Sequence, residues 1–142
     1  MTHAARTVTV ARPIEDVFAF LADGMNEQRW RPDVTSVRLA SGSGVGAVWA
    51  QTMRGPAGRS IRGDYRITRL DEPTLIAFEV IAGPARPTGS FALVALTPTS
   101  TEVTFTLDLV PRGLMRLLGP MIAKQVAKEA DAIMNVPAAM EG

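Results

Sequence analysis

The sequence predicts an α+β fold: a seven-stranded antiparallel sheet, one long C-terminal helix laid across it, and two short helices after the first strand. Three observations carry this. Residues 113–136, GLMRLLGPMIAKQVAKEADAIMNV, repeat apolar side chains at steps of three and four, the period of one buried helix face. Most of the chain before them alternates apolar and polar residues, the period of a strand with one face buried. The strand-like segments are joined by short turns rich in Gly, Pro and Asp, and short connections imply antiparallel neighbours. With 142 residues, 46% of them hydrophobic, the chain is expected to form one domain, 1–142, with a proper core.

Residues 6–11 place Val8 and Val10 on one side and Thr7 and Thr9 on the other, a first strand. Pro13 stands where a helix can begin, because its missing N–H would be unpaired there anyway. Glu15 and Asp16 fall in the first turn and complement the helix dipole. Val17, Phe18, Phe20 and Leu21 form the buried stripe, and Gly24 ends it. Residues 25–30 make a second short helix, ended by Pro32. Arg31 precedes that proline and is expected to be extended.

Strand two is 36–40, followed by Ser41-Gly42-Ser43-Gly44. The glycines at 42, 44 and 46 resemble a phosphate loop only in composition. No Gly-Lys-Ser/Thr follows and both flanks are strand-like, so a hairpin turn is the reading. Strand three, 45–53, puts Trp49, Gln51 and Met53 on one face, and 54–59 (RGPAGR) turn the chain. Strand four, 60–70, has Ile61, Tyr65 and Ile67 on one face; Arg62, Asp64, Arg66 and Thr68 occupy the other, expected to be solvated. After a turn at 71–73, strand five (75–81) is nearly all apolar, with Ile76, Phe78 and Val80 read as inward. Residues 83–89, GPARPTG, form a rigid exposed connection. Strand six is 90–96, a turn follows at 97–101, and strand seven is 102–110, with Val103, Phe105, Leu107 and Leu109 inward.

The C-terminal stripe comprises Leu114, Leu117, Leu118, Met121, Ile122, Gln125, Val126, Ile133 and Met134. Arg116, Lys124, Lys128 and Asp131 fall opposite. Such a helix would span roughly 36 Å at about 1.5 Å per residue. Gly119-Pro120 interrupts it, since proline removes a hydrogen bond and clashes with the preceding turn. Either the helix kinks there, or a short helix ends at Leu118 and a new one starts with Pro120 at its first position. Pro137 is expected to end the helix and leave 138–142 loose.

Composition excludes several function classes. A net charge of +1 gives no electrostatic footprint for nucleic acid. The absence of cysteine excludes disulfides and thiolate metal sites and fits the cytoplasm. The single histidine, His3, lies in an N-terminus expected to fray, which leaves no His-based metal cluster or catalytic triad. No metal and no cofactor is therefore expected. The opening MTHAARTVTV lacks a signal-peptide apolar core, and the longest apolar runs fall far short of a membrane span. No feature of the sequence sets an oligomeric state.

One set of residues carries a family resemblance. It begins at Val10-Ala11-Arg12-Pro13-Ile14-Glu15-Asp16-Val17-Phe18-Ala19-Phe20-Leu21-Ala22-Asp23 and continues through Asn26, Trp30, and Gly44-Val45-Gly46 with Trp49. Leu70-Asp71-Glu72-Pro73 with Leu75 and Phe78, then Gly89-Ser90-Phe91 and Val103-Thr104-Phe105, complete it. In order and spacing the chain resembles the START-like, helix-grip superfamily, also called SRPBCC. Within it the resemblance is to the bacterial polyketide cyclase/dehydrase and lipid-transport proteins; the birch-pollen allergen shares that fold. Pro98-Thr99-Ser100-Thr101 departs from the pattern, replacing a glycine-rich turn. The resemblance implies a sheet curled around the long helix, enclosing a hydrophobic cavity. Such folds carry many functions.

If there is a cavity, Trp30, Trp49, Met53, Tyr65, Phe78, Phe91, Met121 and Ile122 are expected around it; each equally suits an ordinary core position. Gln51 is the inward-parity polar residue, able both to donate and to accept, and Gln125 on the helix stripe either faces it or reaches solvent. Aromatase/cyclases of the superfamily are thought to use polar cavity groups, and Tyr65 is the one match for a catalytic acid or hydrogen-bond donor. Asp64 and Glu79 are read as outward; Arg69 has inward parity but lies at a strand end. No inward residue is expected to carry a charge, so the expected ligand is a mostly neutral, hydrophobic small molecule, polyketide- or lipid-like. Two functions follow, binding of such a ligand, or cyclase, aromatase or dehydratase chemistry on it; a filled core would instead leave a structural domain that binds another protein. Arg54, Arg59 and Arg62 form either a solvated turn or a contact for an acidic partner such as a carrier protein.

Overall fold

The computed structural model describes residues 2–141. The side chains of Pro56, Leu114 and Met115 lie outside that description, and so does the place of Leu114 in the expected stripe. Gly142, expected to be loose, also falls outside it.

Strand β1 (Thr2–Val10) leads into α1 (Ile14–Ala22), a 3-10 turn (Gly24–Asn26) and α2 (Glu27–Trp30). Then come β2 (Val34–Ser41), β3 (Val48–Arg54), β4 (Ser60–Arg62), β5 (Tyr65–Asp71), β6 (Leu75–Val80), β7 (Thr88–Thr97) and β8 (Ser100–Leu109). The chain ends in a 3-10 turn (Gly113–Leu118), α3 (Gly119–Asp131), a second 3-10 turn (Ala132–Asn135) and α4 (Val136–Glu141). Among the described residues the strands form one eight-stranded sheet in the order β1-β8-β7-β6-β5-β3-β2, with β4 also on β3. Each pairing is antiparallel. Helix α3 packs on β1 and β8, α1 on β7 and β8, and α2 on β2.

The alternation in β8 works as read: Val103, Phe105, Leu107 and Leu109 are all buried. So are Val17, Phe18, Phe20 and Leu21 on α1. Ile76 and Phe78 point into the core from β6. The loop between β2 and β3 is a hairpin connection. Gly42, Gly44 and Gly46 all have positive φ, at 74°, 63° and 90°, a conformation that glycine adopts without the Cβ penalty.

Four expectations ahead of the C-terminal segment are corrected. The N-terminus does not fray: β1 pairs with β8 from Thr2↔Leu109 to Val10↔Thr101, and His3 Nδ1 lies 2.6 Å from Asp108 Oδ1. The expected strand 60–70 is broken at Gly63-Asp64, giving eight strands instead of seven. At the break the Gln51 N–H loses its ladder partner, and the Asp64 carboxylate accepts it at 3.1 Å. Arg62 covers the same carboxylate, so Asp64 is buried and not solvated. A register shift between Ile67 and Arg69 turns Arg69 outward, where its Nε pairs with Asp71 at 2.6 Å.

The C-terminal helix is the largest difference. It breaks at Leu118, and α3 starts with Pro120 in its first turn, the second of the two sequence alternatives. The preceding six residues are 3-10, not α. A 3-10 turn advances each residue by about 20° more than an α-helix, so the apolar stripe loses phase there. Leu117, Leu118 and Met121 face solvent, while Val126, Ala130 and Ile133 stay on the core. Pro137 does not end the helix. It lies in the first turn of α4, where a missing N–H costs nothing, and α4 docks through buried Val136 and Met140. Arg12 Nη2 donates to the Met140 carbonyl at 2.7 Å, and Arg29 Nη2 to that of Ala139 at 2.7 Å.

Candidate functional site

A cavity of about 120 Å³ lies between α3 and the sheet. Successive inward positions build its wall: Gln51 and Met53 from β3, Tyr65 from β5, Phe78 and Val80 from β6, Leu107 and Leu109 from β8. Ile122, Gln125, Val126 and Glu129 of α3 close one side. Its rim includes Ile61, Arg62 and Gly63 at the β3–β4–β5 junction and Ala85 and Pro87 from the loop between β6 and β7. A Cβ at Gly63 would lie 2.8 Å from Met53 Sδ, so that flexible side chain would have to shift.

The polar end of the cavity is a charge triad. Arg31 is extended, with φ −106° and ψ 101°, as the following proline dictates. Its guanidinium donates to Glu27 Oε2 at 2.9 Å and to Glu129 Oε2 at 3.0 Å, tying α2 to α3. Gln125 Nε2 donates to the other Glu129 oxygen at 3.2 Å. Burial pushes the Glu27 carboxyl above its ordinary value, and Arg31 opposes that shift. Burial would lower the Arg31 value, but the two carboxylates outweigh it and hold Arg31 above its usual range. The guanidinium therefore stays charged, and a buried charge is tolerated only when paired like this.

Tyr65 lines this cavity and also a second space of about 10 Å³ beside α1 and α2. Phe78 and Arg31 line both as well, so these three side chains partition the two. Burial first, then the nearby charge of Glu27, pushes the Tyr65 phenol up; Arg31 pulls it down and Asp23 adds to the rise. The phenol keeps its proton at neutral pH, which suits a hydrogen-bond donor and not a base. The ring sits against Gly24, where a Cβ would stand 2.6 Å from the Tyr65 hydroxyl. Gly24 thus does more than end a helix: its bare backbone lets Trp49 and Tyr65 approach.

Two unpaired polar atoms belong to lining residues. Among the described residues, Arg31 Nε and Gln51 Oε1 are buried without a hydrogen-bond partner. The Gln51 amide is oriented by its Nε2, which donates to the Gly63 carbonyl at 3.4 Å. An unpaired buried donor or acceptor costs about 1–3 kcal/mol. Both residues line the cavity, while the two atoms themselves are buried in its wall.

Of the ten residues expected around a cavity, Gln51, Met53, Tyr65, Phe78, Ile122 and Gln125 line this one. Phe91 touches only the smaller space. Trp30 is core: its ring meets Phe91 and Phe105 edge-on at 5.9 and 5.7 Å. Trp49 is buried beside Gly24 and does not line the cavity. Met121 is 65% exposed: within α3 it stands about 140° around the helix from buried Val126, at about 100° per residue, and so off the core face. The expectation that no charge faces inward is overturned by Arg31 and Glu129. The Glu27–Arg31 half was visible in EQRWR as a helical pair four residues apart. Glu129 was not, being 98 positions from Arg31. Glu79 is outward as read and pairs with Arg66. Arg54 and Arg59 are exposed.

A family model described as "Polyketide cyclase / dehydrase and lipid transport" matches residues 1–135. Among curated proteins none matches. The structure is similar to the Zhui aromatase/cyclase from Streptomyces sp. R1128, at 22% identity and a TM-score of 0.77, covering 97% of this chain and 93% of that one. It is similar also to a START superfamily protein from Mycobacterium smegmatis, at 21% identity and a TM-score of 0.76, covering 100% of this chain and 96% of that one. At such identities the likeness is one of fold.

Proposed function

From the premise that this chain belongs to the polyketide cyclase / dehydrase and lipid transport family, we propose that it binds a hydrophobic, mostly neutral small molecule in the cavity under α3. The observation that carries this is the mostly apolar cavity wall; two of its residues, Arg31 and Gln51, each keep a buried polar atom without a partner, Nε and Oε1, that a ligand reaching it would pair. A carbonyl on the ligand satisfies the first and a hydroxyl the second. The Arg31 charge does not call for an anion, because Glu27 and Glu129 already neutralise it. A ligand carboxylate would meet two carboxylates beside one guanidinium. The cavity volume of about 120 Å³ is below the roughly 300–1,000 Å³ of drug-sized pockets and near the ~150 Å³ cavity that holds one benzene. It fits about one ring, so a longer ligand would extend through the mouth.

The test is a thermal-shift panel of neutral aromatic ketones and phenols with their matched carboxylates and amines. At a hundredfold excess over Kd, a neutral ligand is expected to raise Tm by roughly 5–11 °C. Consistently larger shifts from the carboxylates would overturn the neutral reading.

A second reading, cyclase, aromatase or dehydratase chemistry in the same cavity, is favoured by one observation: Tyr65 and Arg31 line the same space, beside Glu27. Tyr65 would donate a hydrogen bond or proton to a developing oxyanion. Removing one such donor costs about 100- to 1,000-fold in kcat. Tyr65→Phe is therefore expected to lower kcat by that order on a cyclising substrate, with KM little changed. Unchanged turnover would clear Tyr65 of a catalytic role.

A further inference from the structure

Charge is unevenly distributed around the cavity. Three segments, 54–63, 81–90 and 110–125, each supply residues that line the cavity, whose wall also carries Glu129. The first carries Arg54, Arg59 and Arg62, the second Arg86, and the third Arg112, Arg116 and Lys124. None of the three contains Asp or Glu. The chain has 15 basic and 14 acidic residues, so seven of the basic and none of the acidic ones lie here. The remainder holds eight basic residues against fourteen acidic ones, and the near-neutral total hides a strong asymmetry. All seven are exposed, and among the described residues only Arg62 of the seven meets a carboxylate, that of Asp64.

The third segment also exposes large aliphatic side chains. Leu117 is 79% and Met121 65% exposed, with Leu118 and Val110 about half exposed. Single exposed aliphatics are ordinary. Here Leu117, Leu118 and Met121 follow one another on the 3-10 turn and first turn of α3, close in sequence to Ile122 and Gln125 of the cavity wall. No helix of the described residues is long and apolar enough to cross a membrane. Apolar side chains flanked by Lys and Arg form the pattern of a segment that lies in the headgroup region. An acidic protein would answer the charge but would need its own apolar pocket for Leu117 and Met121. A bilayer needs none.

We propose that this face docks on an anionic membrane surface. Leu117, Leu118 and Met121 enter the headgroup region, the basic side chains meet lipid phosphates, and the cavity mouth faces the bilayer. The docking stands on the surface alone; passage of a hydrophobic cargo from bilayer to cavity without crossing water rests on the binding reading above.

The chain has no cysteine, which makes a single-site probe clean. The full chain carrying Leu117→Cys is labelled with an environment-sensitive fluorophore and mixed with vesicles of phosphatidylcholine and phosphatidylglycerol in equal parts. A blue shift is expected, with none on pure phosphatidylcholine. No shift is expected from Thr99→Cys, in the turn at the opposite end of β7. Arg112→Gln and Arg116→Gln are each expected to weaken partition about fivefold, and Met121→Ser about tenfold or more. Their melting temperatures should match the parent, since these side chains are exposed. Several outcomes overturn the proposal: no shift at position 117 on anionic vesicles, an equal shift at position 99, or a shift produced by a soluble acidic carrier protein but not by vesicles. The thermal-shift panel on the same variants reads ligand binding separately, so loss of docking and loss of binding are distinguishable.

Discussion

Arg31→Met is expected to lower the melting temperature by about 9–15 °C at pH 7. The guanidinium is the only partner of the buried Glu27 carboxylate among the described residues and ties it to Glu129 across two helices. Breaking a buried ion pair from one side costs about 3–5 kcal/mol, and for a chain of this size each kcal/mol moves Tm by about 3 °C. The loss depends on pH with a definite sign. Glu27 has a folded-state value raised above its ordinary one, and loss of Arg31 raises it further. Between the unfolded value, about 4.3, and the raised folded value, the folded chain binds more protons than the unfolded chain. Stability therefore falls as pH rises through that window, and the deficit of Arg31→Met shrinks as pH is lowered toward the unfolded value. The triple variant Arg31→Met, Glu27→Gln, Glu129→Gln is expected to regain most of the loss, because no charge is then left without its partner. Calorimetric melts of the three proteins between pH 4.5 and 7.5 check this. A gap that does not change with pH would mean that the triad is solvated.

Phe105→Ala is expected to cost about 3–5 kcal/mol. The ring is fully buried, stacks on Phe91 at 4.6 Å with planes 7° apart, and receives the Trp30 edge at 5.7 Å. Aromatic pairs add about 0.5–1.5 kcal/mol to area burial, and a truncated ring leaves a void that rigid sheet neighbours cannot fill. In urea the midpoint should drop with the m-value unchanged. Phe105→Leu retains most of the volume and should lose less than half as much. A loss below about 1 kcal/mol for the alanine variant would show that the cluster is not packed in this way.

The parts legible in the sequence were those set by near neighbours. Strand β8 declared its inward residues because its period of two runs unbroken from Val103 to Leu109. The tandem helices after β1 were marked by Pro13, Gly24 and Pro32, each acting on the backbone within a residue or two. Gln51, Tyr65 and Phe78 were found for the cavity by parity alone. The reading failed where parity was interrupted by something unseen. The break at Gly63-Asp64 has no local signature strong enough to outweigh an alternating stretch from Ile61 to Ile67. Arg69 was misassigned because a register shift two residues earlier inverted its side. Trp30 and Trp49 show a different limit: inward-facing and cavity-lining are the same statement in one dimension and different ones in three.

By itself the sequence determined the kinds of element, their order, the antiparallel pairing and the identity of most of the core, because periodicity and turn chemistry are local. Tertiary structure alone decided three things. It placed Glu129 opposite Arg31, which turned an expected neutral interior into a compensated charged one. It turned α3 onto the core through Val126, Ala130 and Ile133, which left Leu117 and Met121 of the expected core stripe exposed. It also set the size of the cavity. Each depends on which group stands opposite across the fold. The energy of a buried charge or an exposed leucine is set by that neighbour and not by its own place in the chain.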